Sequence, residues 1–199
     1  ALPSAYVGLG VARSVLLVQS LPLLRLPCWL LLAVPVAMTV VFFRAPPVGI
    51  VVQVFRHDGA AGMLHGHNPY SMTFPDIYPA RLTKLFYGPG VVSDGRITFG
   101  FPYLPVILLV AIPGQLLGDV RYSQLIAMLV TALVLRQLAS DRVGQASVVL
   151  GVVAPVSMLM LYGAWTEPTL VALLACLVLA LERRSNTFAA VLLGLFLVS

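Results

Sequence analysis

Charge is what this chain has least of. Asp, Glu, Lys and Arg make up 10% of its 199 residues and hydrophobic residues 60%, where a globular protein carries about 25% charged residues. The mean hydropathy is +0.99. So little charge excludes a soluble domain, whose solvated surface must be covered by polar groups. Cysteine is scarcer still. Cys28 and Cys176 both sit in apolar runs on different segments, with no metal-type spacing between them, so each is read as a small packing residue rather than as half of a disulfide. Twelve Lys and Arg against seven Asp and Glu leave a net charge of +5, but no block of like charges forms a nucleic-acid patch. There is no internal repeat and no low-complexity tract. What is present is apolar sequence in long runs, five of which approach or reach the span length, roughly 17–25 residues. The composition predicts an all-α polytopic membrane protein with about five transmembrane helices.

The chain opens on Ala with no charged segment before an apolar core, and residues 189–199 stop inside an apolar run. It therefore reads as a fragment of a longer protein, forming a single transmembrane domain. Residues 1–43 are an N-terminal segment and a span. Residues 1–24 are interrupted by Arg13, Gln19 and Pro22, and are either the end of an earlier span or an amphipathic surface segment. Residues 26–43 are a cleaner span, bracketed by Arg25 and Arg44. Residues 44–121 form a large outer loop rich in Pro, Gly and aromatics, too long for a simple connector and carrying amphipathic, juxtamembrane helices. Within it 48–65 reads as a helix, stopped by Gly66 and the turn-forming Asn68-Pro69. Residues 101–117 are cut by Pro102, Pro105 and Pro113-Gly114 into pieces shorter than a crossing.

Residues 122–199 hold further spans, and loop cations set their orientation. If 101–117 lies on the outer surface, then 122–138 runs inward, 143–162 outward, 169–181 inward and 188–199 outward. Arg25, Arg136, Arg142, Arg183 and Arg184 then all face the cytoplasm, as the positive-inside rule requires. The large loop and the turn at 162–168 both face outside, so Asp58 and Glu167 share a compartment.

The polar island at 55–70 holds all three histidines and Asp58. On a helix Asp58, Gly62 and His65 fall near one face, while Gly59 and Gly62 remove bulk and suit close approach of a ligand or another backbone. Asp58 is a candidate catalytic carboxylate, the alternatives being a solvated acid or one paired with Arg56. Imidazoles and carboxylates here invite a transition metal, but the spacing matches no zinc pattern. The cofactor expectation is none, or else a loosely held Mg or Mn ion on carboxylates and phosphate. Glu167, between Thr166 and Pro168, has a full structural reading: Thr caps, Glu complements the helix dipole and Pro fits the first turn. An active-site role stands beside it. Arg81, Lys84, Arg96 and Arg121 are candidates to hold a phosphate at headgroup depth, or else pair with Asp76, Asp94, Asp119 or lipid. Tyr70, Tyr103 and Trp165 either stack on a sugar or form an interfacial belt.

Taken together, an outward Asp after the first span, the Gly66–Tyr70 turn (Gly-His-Asn-Pro-Tyr), the Pro-aromatic segment at 101–113, the Asp119-x-Arg121 pair and an acid in the next outer turn resemble the GT-C superfamily. These are polytopic glycosyltransferases that use polyprenyl-phosphate sugars, and the likeness is nearest to actinobacterial polyprenol-phosphate-mannose-dependent mannosyltransferases. The resemblance covers roughly residues 55–184. It implies a bacterial plasma-membrane enzyme acting on the outer face, moving mannose or another hexose or pentose from a polyprenyl-phosphate donor to a lipid or cell-envelope glycan acceptor with inversion. Asp58 is then the general base and Glu167 a second acid. His57, His65, Asn68, Tyr70, Tyr103, Arg121 and Trp165 are candidate substrate contacts, and membrane lipids are partners while nucleic acid is not. Two departures stand out: Asp58 lies between His57 and Gly59 where some relatives carry adjacent acids, and 101–105 reads Phe-Pro-Tyr-Leu-Pro rather than Tyr-Pro-Pro. The competing readings are a secondary transporter, whose site would lie on broken helices near the midplane, and a non-catalytic lipid-binding scaffold.

Overall fold

The computed structural model describes residues 49–199, together with Ala33, Val36, Ala37 and Arg44. Apart from those isolated positions, the expectations for 1–24 and for the span at 26–43 lie outside the described residues. The described part is mostly helical, with eight helices and one very small sheet.

Helix α1, Val51–Leu64, matches the expected 48–65 closely, and its end is built by glycine. Gly66 takes φ +79°, a left-handed value that costs a side chain about 1–2 kcal/mol. Its N–H donates to Met63 O at 3.1 Å and the His67 N–H to Gly62 O at 2.9 Å, closing the helix in a Schellman arrangement. Asn68 then caps a single 3-10 turn, Pro69–Ser71, by accepting from the Tyr70 N–H at 3.1 Å.

The loop beyond carries what its sequence did not suggest: a three-stranded antiparallel sheet of two-residue strands, β1 (Phe74–Pro75), β2 (Val92–Ser93) and β3 (Arg96–Ile97), in the order β1-β3-β2. Phe74 and Val92 both sit opposite Ile97. Asp94 at φ 51° and Gly95 at φ 71° make the two-residue hairpin turn that Asp-Gly favours. Between β1 and β2 lies the short helix α2, Ala80–Phe86.

Helix α3, Pro105–Leu116, runs through Pro113 rather than breaking at it. At twelve residues it spans about 18 Å, short of the roughly 30 Å of a hydrocarbon core. It meets α4, Arg121–Leu138, at 109°. Ser123, buried at the corner, accepts from the Gly114 N–H at 2.8 Å and donates to Ala111 O at 3.3 Å.

The expected outward span 143–162 is instead two helices, α5 (Arg142–Val153) and α6 (Pro155–Tyr162), parted at Ala154 with ψ 141°. A proline drives the residue before it out of the helical region, and Pro155 does so here. Helices α7 (Glu167–Glu182) and α8 (Asn186–Leu197) follow, close to the expected 169–181 and 188–199. Thr166 precedes α7 but its side chain makes no capping bond, so that part of the reading at 166–168 is corrected. The Glu in the first turn and the Pro behind it are as expected.

Phe55, Phe74, Ile97, Phe101, Ile107, Leu108 and Ala164 form one buried cluster joining α1, the sheet, α3 and the α6–α7 turn. Phe55 meets Phe74 edge to face at 4.9 Å. Leu125, Met128 and Leu161 make a second cluster between α4 and α6, and Ala180, Ala189 and Leu192 a third between α7 and α8. Among the described residues no single helix is long and apolar enough to cross a membrane. Two bent pairs meet that measure together by length and composition: Pro105–Leu116 with Arg121–Leu138, and Val156–Tyr162 with Glu167–Glu182 at 116°.

Candidate functional site

Helical periodicity divides α1 into two working faces. Gln53, Val54, His57 and Asp58, at i, i+1, i+4 and i+5, share one side, and they line a cleft of about 420 Å³ with Asp119, Val120 and Arg121 from the α3–α4 corner. Three of the expected site residues, His57, Asp58 and Arg121, are thus brought together. His57 Nδ1 lies 2.9 Å from Asp58 Oδ1, and both side chains are open to solvent. That hydrogen bond holds the imidazole above its ordinary range, with burial opposing it and the charges of Asp58 and Asp119 assisting. Asp58 is therefore partnered by His57 and not by Arg56.

Arg121 is buried, and its backbone N–H, Nε and Nη2 all donate to Asp119 at 2.8, 2.8 and 2.6 Å. The guanidinium also lies over the Tyr162 ring, 5.7 Å from its centroid. A substrate phosphate would meet this cation as a member of an ion pair. Of the other loop cations, Arg96 is held by Thr73 through Oγ1 at 2.8 Å and the carbonyl at 2.6 Å.

The opposite face of α1 points inward. Arg56 is fully buried, and its Nη1 donates to Ala164 O at 2.9 Å and Trp165 O at 3.2 Å. With the Gln124 amide oriented by its hydrogen-bond network, its oxygen accepts from Arg56 while its NH2 donates to Trp165 O at 3.1 Å and Thr169 Oγ1 at 3.3 Å. Burial lowers the guanidinium to about 10, opposed by the nearby Tyr103 and Glu167. Tyr103, Trp165 and Glu167 thus belong to this second neighbourhood. Glu167 also lines a separate apolar cavity of about 440 Å³ with Met128, Leu135, Met160 and Val171. Its Oε2 is buried without a hydrogen-bond partner.

Other expectations resolve as local structure. His65 does not join Asp58; its Nδ1 lies 2.7 Å from Ala61 O. Gly59 faces the Phe101 ring, where an added Cβ would stand 3.0 Å from Cδ2, and Gly62 faces Met72. These glycines admit packing side chains rather than a ligand. Asn68 caps its turn. Tyr70 donates through its hydroxyl to Tyr103 O at 3.0 Å, and Tyr70, Phe101 and Tyr103 meet edge to face at 5.9 and 5.6 Å. Among the described residues no three of His, Cys, Asp and Glu converge to hold a metal ion, and Asp119 is committed to Arg121.

Arg56 and Gln124 are what the sequence reading missed. The available signal was a charged or amide side chain flanked by apolar residues on a helix, Phe55 before Arg56 and Leu125 after Gln124, which in an interior must find partners. No protein-family model, no curated protein and no solved structure matches this chain.

Proposed function

We propose that the protein is a membrane glycosyltransferase that moves a sugar from a polyprenyl-phosphate donor to a lipid or cell-envelope acceptor at the outer face of the membrane. The acceptor hydroxyl attacks the anomeric carbon, its proton passes to an Asp58 carboxylate oxygen, and the bond from that carbon to the phosphate oxygen breaks with inversion, leaving the lipid phosphate as the anion. The observation that carries the reading is the cleft in which Asp58 and His57 face Asp119 and Arg121 at the bend of the α3–α4 pair. It combines a solvent-reachable carboxylate with a cation at the end of apolar helices, the ingredients that transfer from a lipid-linked phosphate needs. Apolar side chains exposed along α4, α7 and α8, among them Ile126, Leu133, Val171, Leu174, Phe188 and Val191, are consistent with helices set in lipid.

The apolar cavity beside Glu167 favours a second reading, a lipid-binding protein without catalysis, and one experiment separates the two. Labelled sugar transfer from polyprenyl-phosphate donors to membrane acceptors is measured for the full-length protein, Asp58→Asn and Glu167→Gln. Loss of a general base lowers the rate by about 10²–10⁴-fold. That loss is expected for Asp58→Asn and a smaller one for Glu167→Gln, which lies outside the cleft. Full activity of Asp58→Asn would sink the base assignment, and donor binding without transfer by the unaltered protein would favour the lipid binder.

A further inference from the structure

We infer that Arg56 is a positioning residue that sets the rotation of α1, and with it the aim of Asp58, by tying that helix to the turn that carries Glu167. The inference rests on the glycosyltransferase reading only for its kinetic consequence. The tie itself joins distant parts of the chain: one guanidinium on α1 reaches the carbonyls of Ala164 and Trp165 and the amide of Gln124 on α4. Gln124 in turn reaches Trp165 and Thr169, so three elements are locked around a single buried group.

A buried guanidinium is a costly way to fill space. Taking a charge out of water is repaid only by good geometry and further hydrogen bonds, and apolar residues of similar volume often stabilise a protein more. Among the described residues Arg56 forms no ion pair with a carboxylate. What it supplies that an apolar chain would not is direction. Its planar fork fixes several acceptors at set angles, which the single ammonium of lysine does not reproduce. Successive residues are about 100° apart around a helix, so Asp58, two residues on, lies on roughly the opposite side. Any turn of α1 that loosens Arg56 swings Asp58 across the cleft, and misplacement by about 1 Å costs on the order of a hundredfold in rate.

The test compares Arg56→Lys and Arg56→Met in the full-length protein, alone and combined with Asp58→Asn. Each single variant is expected to lower kcat by about ten- to a hundredfold with KM for the donor nearly unchanged. In the Asp58→Asn background the further loss should vanish, because a badly aimed base and an absent one are equivalent. If the Arg56 variants lower the residual rate of Asp58→Asn by the same factor, they act only by reducing the folded fraction and the inference fails. It also fails if both fold and transfer normally.

A second measurement is independent of activity: the maleimide reaction rate of a cysteine at position 58, with and without Arg56→Lys, against a cysteine at Ser71 as reference. A change at 58 alone supports the tie, and an unchanged ratio overturns it. Should the unaltered protein transfer no sugar, the proposed function falls while the labelling still decides the role of Arg56.

Discussion

Neighbouring residues on a helix do not face one another, yet His57 and Asp58 meet at 2.9 Å because both lean into the same cleft. That contact titrates. The folded imidazole is held above its ordinary value by the Asp58 carboxylate, so the pair contributes its stability in full below the ordinary value of about 6.5 and loses it as pH rises through the raised one. The difference in melting temperature between the unaltered protein and His57→Gln should be largest near about pH 5 and shrink toward about pH 9. A difference independent of pH would show that the contact carries no proton-linked stability. Asp58, His57 and Arg121 stand out in the sequence by residue type and position, and the fold brings all three to one cleft. Their partners are not legible in the sequence, because whether an acid pairs with the residue before it or the one two before depends on which helix face is covered. Arg56 illustrates this: as sequence it is a candidate partner for Asp58, and in the fold it points the other way into the protein. His65 shows the converse, since seven residues along a helix bring a side chain to the same face only while the helix continues, and His65 is the cap at which α1 closes, its Nδ1 against Ala61 O.

Helices were the most legible elements, because long apolar runs and their breakers mark them. The ends of α1, α4, α7 and α8 fall within a few residues of the expected ones. Pro155 divided a run that hydropathy alone presents as continuous. The small sheet was hidden because two-residue strands have no alternation to read; only Asp94-Gly95 hinted at a hairpin. Corners between helices are set by side chains that hydropathy also passes over, and Ser123 is the clearest. It satisfies the Gly114 N–H and adds a bond to Ala111 O where α3 turns into α4, at a close approach where a Cβ on Gly114 would stand 2.7 Å from the Ser123 nitrogen. Ser123→Ala leaves that buried N–H without its acceptor, a loss of about 1–3 kcal/mol. Thermal unfolding in detergent should register it, and Ser123→Thr, which keeps the hydroxyl, should recover part if the extra methyl is accommodated. An unshifted midpoint for Ser123→Ala would mean the corner is held by packing alone.

Orientation belongs to the whole molecule, because it follows from the sum of loop cations and from which helices turn back. Helix α3 ends after about 18 Å of rise and α4 leaves it at 109°, so the pair has the form of a short re-entrant or surface arm followed by a longer helix. Helices α6 and α7 repeat that form at 116°, with Arg56 holding the turn between them against α1. Two sharp corners thus lie beside the two α1 faces, which is why the Asp58 cleft and the Arg56 neighbourhood sit back to back. If the α3 arm stays on the outer surface, Ser71 faces outside while Ser185, beside Arg183 and Arg184, faces the cytoplasm, in keeping with the distribution of positive charge. Both serines are exposed in the fold, so each serves as a reporter once Cys28 and Cys176 are replaced. In intact cells an impermeant maleimide should label a cysteine at position 71 and leave one at 185 unlabelled until the membrane is opened. Labelling of both from outside would overturn the arrangement, since Asp58 and Glu167 are assigned to one compartment only by that count of crossings.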